Sequence, residues 1–129
     1  GKGMNRLIIP GTLPSVNHQY KNARTGRRTR RVLTPEAKQW ETDIQTLATI
    51  WRASTRWKTA NRKVVVRLWY FWPDARKRDT HNTLKLLLDA FEKAGIYTND
   101  QLALPRIMDY EIDRKNPRVE VEFEEMKGA

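Results

Sequence analysis

The run Val64-Val65-Val66-Arg67-Leu68-Trp69-Tyr70-Phe71-Trp72, closed by Pro73, leads within a few residues into Arg78-Asp79-Thr80-His81-Asn82-Thr83-Leu84-Lys85. The first stretch is β-branched and aromatic, the composition of a strand. Its nearly unbroken apolar character predicts a central strand buried on both faces. From residue 80 the period changes. Leu84, Leu87, Leu88, Phe91 and Ala94 recur at helical spacing and Gly95 offers a C-terminal stop, so residues 80–94 are expected as a helix. Asp79 then stands at its N-cap, where a carboxylate accepts the free N–H groups of the first turn. His81, Lys85 and Glu92 follow along one side, with Asn82 and Asp89 on the adjoining flank. Capping and a solvated polar face explain these residues by themselves. A carboxylate, an imidazole and an ammonium so near a helix start also make a candidate site.

Upstream, Leu7-Ile8-Ile9 reads as a short strand ended by Pro10 and Gly11. Leu13 to Tyr20 has turn chemistry and little periodicity. Residues 21–31, with Gly26 at the middle, read as a mobile basic loop or a ragged hairpin. Thr34-Pro35-Glu36-Ala37 announces a helix, with Thr at the N-cap, Pro at the first helical position and an acid in the first turn. Trp40, Ile44, Leu47, Ala48 and Trp51 continue it. Downstream, 96–100 is a connecting turn and 102–112 a strand, in which Pro105 requires a bulge, an edge or a late start. After a turn at 114–117, Val119, Val121 and Phe123 alternate with glutamates as an outer strand. The order β-α-β-α-β-β gives an α/β (α+β) fold: one small mixed sheet carrying two main helices, in a single domain.

The 129 residues suit one domain and one core. No apolar run approaches the ~20 residues that span a bilayer, and no apolar segment follows the N-terminal charges as in a signal peptide. Gly1-Lys2-Gly3 before Met4 is set aside as a remnant of recombinant expression. Without cysteine there are neither disulfides nor thiolate metal sites, and the expected location is cytoplasmic, in a bacterial or phage-type host. A formal charge of +10 calls for a polyanionic partner, nucleic acid or an acidic membrane surface. The charge is concentrated. Lys21, Arg24, Arg27, Arg28, Arg30 and Arg31 share one stretch with no acid among them, and Arg76-Lys77-Arg78 form another cluster, whereas Glu120, Glu122, Glu124 and Glu125 crowd the C-terminal quarter. Such asymmetry favours a directed basic surface. The tryptophans belong mostly to the core, and Trp57, in a basic stretch, is the best of them for contacting a base or a partner.

Asp79 and Asp100 are the carboxylates most suited to act together, if the turn at 96–100 returns the chain beside the helix. With His81 they would offer oxygen and nitrogen ligands to a divalent cation, Mg²⁺ by hardness or Mn²⁺ once an imidazole takes part. Lys85, one turn after His81, could neutralise a phosphate or steady a leaving oxygen. Asp89 and Glu92 are read as structural or supporting groups. A basic surface to hold a backbone and a few acids to hold a metal are what a metal-dependent nuclease needs.

Arg78-Asp79-x-His81-Asn82-x-x-Lys85, its spacing to Asp89, and Asn99-Asp100-Gln101 resemble the RusA family of Holliday-junction resolvases. Leu13-Pro14-Ser15-Val16-Asn17-His18-Gln19-Tyr20 is similar to that family's N-terminal Pro-Ser-x-Asn segment, and the likeness runs from about Ile8 to Phe123. The resemblance implies a metal-dependent endodeoxyribonuclease, a homodimer acting on four-way DNA junctions in recombination and repair. It makes Asp79, His81 and Asp100 the metal-binding and catalytic residues, and Lys85 the essential basic residue of the catalytic set. Arg24, Arg27, Arg28, Arg30, Arg31, Arg76, Lys77 and Arg78 are the expected DNA contacts. Two positions depart from the pattern: His81 stands where the family often has Asp, and Asn99 where some members have an acid. Two rivals follow, a non-catalytic DNA-binding module derived from a resolvase, and a phage-type structural or RNA-binding protein.

Overall fold

A computed structural model describes residues 5–13, 20–25, 28–76, 78 and 80–127. Its elements in order are β1 (Leu7–Pro10), β2 (Tyr20–Thr25), β3 (Arg28–Leu33), α1 (Pro35–Thr55), β4 (Val64–Trp72), a 3₁₀ turn (Thr80–Thr83), α2 (Leu84–Lys93), a second 3₁₀ turn (Asp100–Leu102), β5 (Ala103–Ile112) and β6 (Arg118–Glu125). Four strands make one mixed sheet in the order β1-β6-β4-β5. β4 and β5 run parallel, and β6 is antiparallel to both β4 and β1. This is the α+β architecture expected, with the two helices packed on each other and on the sheet.

The basic segment pairs as an antiparallel hairpin of its own, Ala23 opposite Arg30 and Thr25 opposite Arg28. The order β-α-β-α-β-β omits these two strands, because consecutive charges hide any period-2 pattern.

α1 starts as its sequence directs. The Thr34 hydroxyl accepts the Ala37 N–H at 3.2 Å and Pro35 occupies the first turn, where its missing N–H costs nothing. The helix then runs four residues past Trp51 to Thr55. Ile44 and Ala48 are buried from α1, and Leu86, Leu87, Ala90 and Phe91 from α2. They meet Val64, Val66, Leu68 and Tyr70 of β4 and Val119, Val121 and Phe123 of β6.

Two expectations about the sheet are corrected. β4 is central but not buried on both faces. Arg67, Trp69 and Phe71 alternate with the buried residues and lie half-covered on the helix-free face. Arginines cover its rings, the Arg6 guanidinium 3.7 Å from the Trp69 ring centre and that of Arg118 3.8 Å from Phe71. β6 is not an outer strand but sits between β1 and β4. Its alternation reports a polar face, not an edge, since Glu120 and Glu122 turn outward to Arg6 at 3.0 and 2.8 Å.

β5 is the edge strand, as Pro105 required. The register also slips between Leu68 and Trp69, opposite Ile107 and Asp109, leaving Met108 as the extra residue of a bulge. Trp57 is corrected too. It packs in an aromatic group with Trp51 and Phe123, and its Nε1 donates to the Ile96 carbonyl at 2.9 Å, so it belongs to the core margin. No helix among the described residues is long and apolar enough to cross a membrane.

Candidate active site

Residues expected as one helix over 80–94 form two parts, because the chain tightens into a 3₁₀ turn before α2 begins at Leu84. Thr83 explains the tightening. Its buried hydroxyl lies 2.9 Å from the Thr80 carbonyl oxygen and shares a 2.5 Å bond with the Tyr70 hydroxyl, itself 3.2 Å from the same oxygen. Burial pushes the Tyr70 phenol up to about 12 against the pull of Thr83, so it stays neutral. The turn carrying His81 is thereby tied to the middle strand of the sheet. His81 itself is exposed. Asp79 lies outside the described residues, as do Arg27 and Lys77.

On α2, Lys85, Asp89 and Glu92 occupy positions i, i+4 and i+7 and share one face. Lys85 Nζ lies 3.4 Å from Asp89 Oδ2. Gly95, at φ +84°, ends the helix in a left-handed conformation, and Ile96 N–H donates to Phe91 O at 3.0 Å to close it. The return is clamped to the core. Ala60 N–H donates to Ile96 O and Thr98 N–H to Ala60 O, both at 3.0 Å, while Tyr97 Oη donates to Leu88 O at 2.7 Å.

This clamp brings Asp100 back beside α2. The Glu92 carboxylate accepts the Asp100 N–H at 2.6 Å. The Asp100 carboxyl reaches that of Asp89. Burial, then the hydrogen bond from Asp100 and its charge, hold the Asp89 carboxyl above its ordinary range, while Lys85 acts in the opposite sense. Tyr97, beneath the group, is raised by burial and then by the charges of Asp100, Glu92 and Asp89. Asn99 caps the second 3₁₀ turn, its Oδ1 accepting the Gln101 N–H at 2.8 Å, a task an aspartate oxygen would perform equally.

The structure thus brings together Lys85 and Asp100 of the expected set, through Asp89, with Glu92 supporting Asp100. Sequence reasoning places Asp89 and Glu92 in the background, although the i, i+4 spacing to Lys85 is a usable signal. Two carboxyls in contact repel when both are ionised, and hard oxygen donors so disposed fit a divalent cation such as Mg²⁺ or Mn²⁺. Among the described residues no group of three or more acids or imidazoles is close enough to enclose a metal, so the pair needs a further donor.

Of the expected DNA contacts, Arg24, Arg28, Arg30 and Arg31 fall on the β2–β3 hairpin. Arg76 is exposed. The Arg78 guanidinium is engaged, donating to Asp74 Oδ1 at 2.7 Å and lying 5.1 Å from the Trp72 ring centre.

A basic α+β chain with a carboxylate pair and a lysine ranged along one helix has the makings of a protein that handles phosphodiesters. The family model for Endodeoxyribonuclease RusA matches residues 10–124, and the chain belongs to that family. It is by that membership a DNA nuclease, of a family whose general activity is resolution of Holliday junctions. No curated protein matched the chain.

Proposed function

We propose that this protein is a divalent-metal-dependent endonuclease that resolves four-way DNA junctions by paired phosphodiester cuts, as a homodimer in the cytoplasm during recombination and repair. The observation that carries the reading is the Lys85–Asp89–Asp100 row on one side of α2, in a chain of the RusA family. Asp79, His81 and Asp100 are the proposed metal ligands, with Asp89 adjoining. When bound, the cation would supply Lewis acidity toward the phosphate and activate a water for attack.

The protein's own groups set up that chemistry. Glu92 fixes the backbone of Asp100. Lys85, an exposed ammonium resting on Asp89, offers its charge to the phosphate or to the leaving oxygen. Asp89 keeps that ammonium near the acids in the absence of substrate. The β2–β3 hairpin, with Arg27, Arg76 and Lys77, supplies charge for the DNA backbone, and Arg78 joins it where Asp74 releases it. Two opposed cuts need two active sites, and one domain carries one, which is the physical case for a two-fold dimer.

Labelled four-way and linear duplexes, incubated with Mg²⁺, Mn²⁺ or chelator and separated on gels, test the reading. Metal-dependent, symmetric cutting of the junction alone is expected. Junction binding without cutting in any metal would favour a non-catalytic module. Equal binding of branched and linear nucleic acid without cutting would favour a packaging or RNA-binding role.

A further inference from the structure

Beyond the carboxylates, a cleft of about 890 Å³ opens at the C-terminal ends of the parallel strands β4 and β5. Trp72, Arg76, Arg78, Thr80, Tyr110 and Glu111 contribute to its lining. The volume suits a small ligand, and the crevice outside the carboxyl ends of parallel strands is where open α/β sheets commonly bind one. Thr80 stands between Asp79 and His81, so the cleft adjoins the proposed cutting site in the chain itself.

Its groups are of three kinds. Tyr110 is a large aromatic left 69% exposed, with Ile112 beside it 51% exposed. The exposed Arg76 guanidinium has no hydrogen-bond partner among the described residues, whereas Asp74, the nearest acid, is occupied by Arg78 and by the Arg76 backbone N–H. Glu111 is exposed and likewise makes no side-chain hydrogen bond among the described residues.

We infer that this cleft receives one unstacked nucleotide of the DNA, its base laid on Tyr110, its exocyclic amino group donating to Glu111 and its phosphate held by Arg76. The inference rests on the nuclease reading of the preceding subsection and adds to it a base-sensing subsite. Each contact has its chemical reason. An aromatic ring stacks any base. A carboxylate accepts from the amino groups of cytosine, adenine or guanine and finds no amino donor on thymine. A guanidinium matches a phosphate. A base within a duplex has both faces covered, so the occupant must be unstacked, and unstacking costs least where pairing is already interrupted, as at a branch point.

The test has two arms. In the first, fixed four-way junctions carry A, C, G or T at the nucleotides flanking the branch point, and cutting rates are measured for wild type, Tyr110→Ala and Glu111→Ala. Ile50→Ala, an exposed apolar change on α1, is the control. Wild type is expected to cut junctions with an amino-bearing base about tenfold faster than those with thymine, the discrimination of one good base contact. Glu111→Ala should erase that ratio. Tyr110→Ala should lower the rate for all four bases by at least about fivefold, the loss of one stacked base. Ile50→Ala should match wild type.

The second arm needs neither metal nor cutting. Fluorescein-labelled dC8 and dT8 are titrated in chelator, and tighter dC8 binding that disappears in Glu111→Ala is expected. If wild type cuts no junction but keeps this ratio, the nuclease reading fails and the subsite stands. If junctions are cut with no dependence on base, or with a dependence untouched by either variant, the subsite is overturned and the nuclease reading stands. Sedimentation of Tyr110→Ala decides the remaining alternative: a shift to a smaller species would assign Tyr110 to the contact between two copies and overturn the subsite.

Discussion

Replacing Glu92 by alanine separates the support of the active site from its chemistry. The Glu92 carboxylate holds the Asp100 N–H at 2.6 Å, a partly buried bond joining α2 to the turn that delivers Asp100. Hydrogen bonds to charged groups contribute about 1.5–3 kcal/mol, and water can reach the vacated N–H, so about 1–2 kcal/mol of stability should be lost. For a domain of this size that is roughly a 3–10 °C fall in Tm. The larger effect falls on catalysis. A misplacement near 1 Å at a reacting group costs up to about 100-fold, so kcat should drop roughly 10- to 100-fold.

The assay is single-turnover cutting of a four-way junction across a Mg²⁺ titration, with junction binding measured separately in chelator. Binding in chelator should be unchanged, while half-maximal cutting should need more metal. Glu92→Gln keeps an oxygen acceptor and should recover most of the rate. Glu41→Ala is the control for general destabilisation, since it removes the ion pair to Lys93 that also braces α2. A Glu92→Ala enzyme with the wild-type metal titration, or an equal catalytic loss in Glu41→Ala, would refute the reasoning.

Asp79→Asn and Asp100→Asn should each nearly abolish cutting while binding junctions in chelator as well as wild type or better; normal cutting by either would remove it from the metal ligands. His81→Ala should lose most activity in both ions and His81→Asp should shift preference toward Mg²⁺, because a neutral imidazole is the weaker partner for that ion, as rates in Mg²⁺ and Mn²⁺ would show. Neutralising Arg28, Arg30 and Arg31 on the hairpin should reduce the slope of log affinity against log salt by roughly 0.9 for each phosphate no longer neutralised, and an unchanged slope would exclude the hairpin from the DNA surface. For Asp89 the sign follows from a folded-state carboxyl held above its unfolded value: ionisation costs the folded protein more than the unfolded chain. In chelator, Tm should therefore fall as pH rises from the ordinary carboxylate range through the raised value, and Asp89→Asn should remove that step; a variant with the same pH–Tm curve as wild type would contradict it.

Capping and period are legible in the sequence wherever local chemistry decides structure. Thr34-Pro35 fixes the start of α1, Gly95 the end of α2, and the Val119-Val121-Phe123 alternation the buried face of β6. What is illegible depends on partners distant in the chain. Trp69 and Phe71 read as buried on composition, yet guanidiniums from residues 6 and 118 cover them. The 3₁₀ turn at Thr80–Thr83 is set by a hydroxyl ten or more residues upstream, so helical spacing alone extends α2 too far. Asp89 illustrates the same limit at the site. Its distance from Lys85 is a property of one helix, but its approach to Asp100 exists only because Gly95 stops that helix and Ala60 clamps the return.

The helix-free face of the sheet has a consequence for how DNA meets the protein. There Arg6, Arg67 and Arg118 are matched against Asp113, Glu120, Glu122 and Glu124, so that face carries no positive excess from these pairs. The chain nevertheless bears +10. Its surplus must lie elsewhere, and the molecule is electrically lopsided. In the field of a polyanion such a body experiences a torque as well as an attraction. It turns the balanced face away before touching, so that the first productive collision already presents the hairpin and the side bearing α2. Low ionic strength should sharpen this alignment, and added salt should erode it over the roughly 10 Å on which charges screen at 0.1 M.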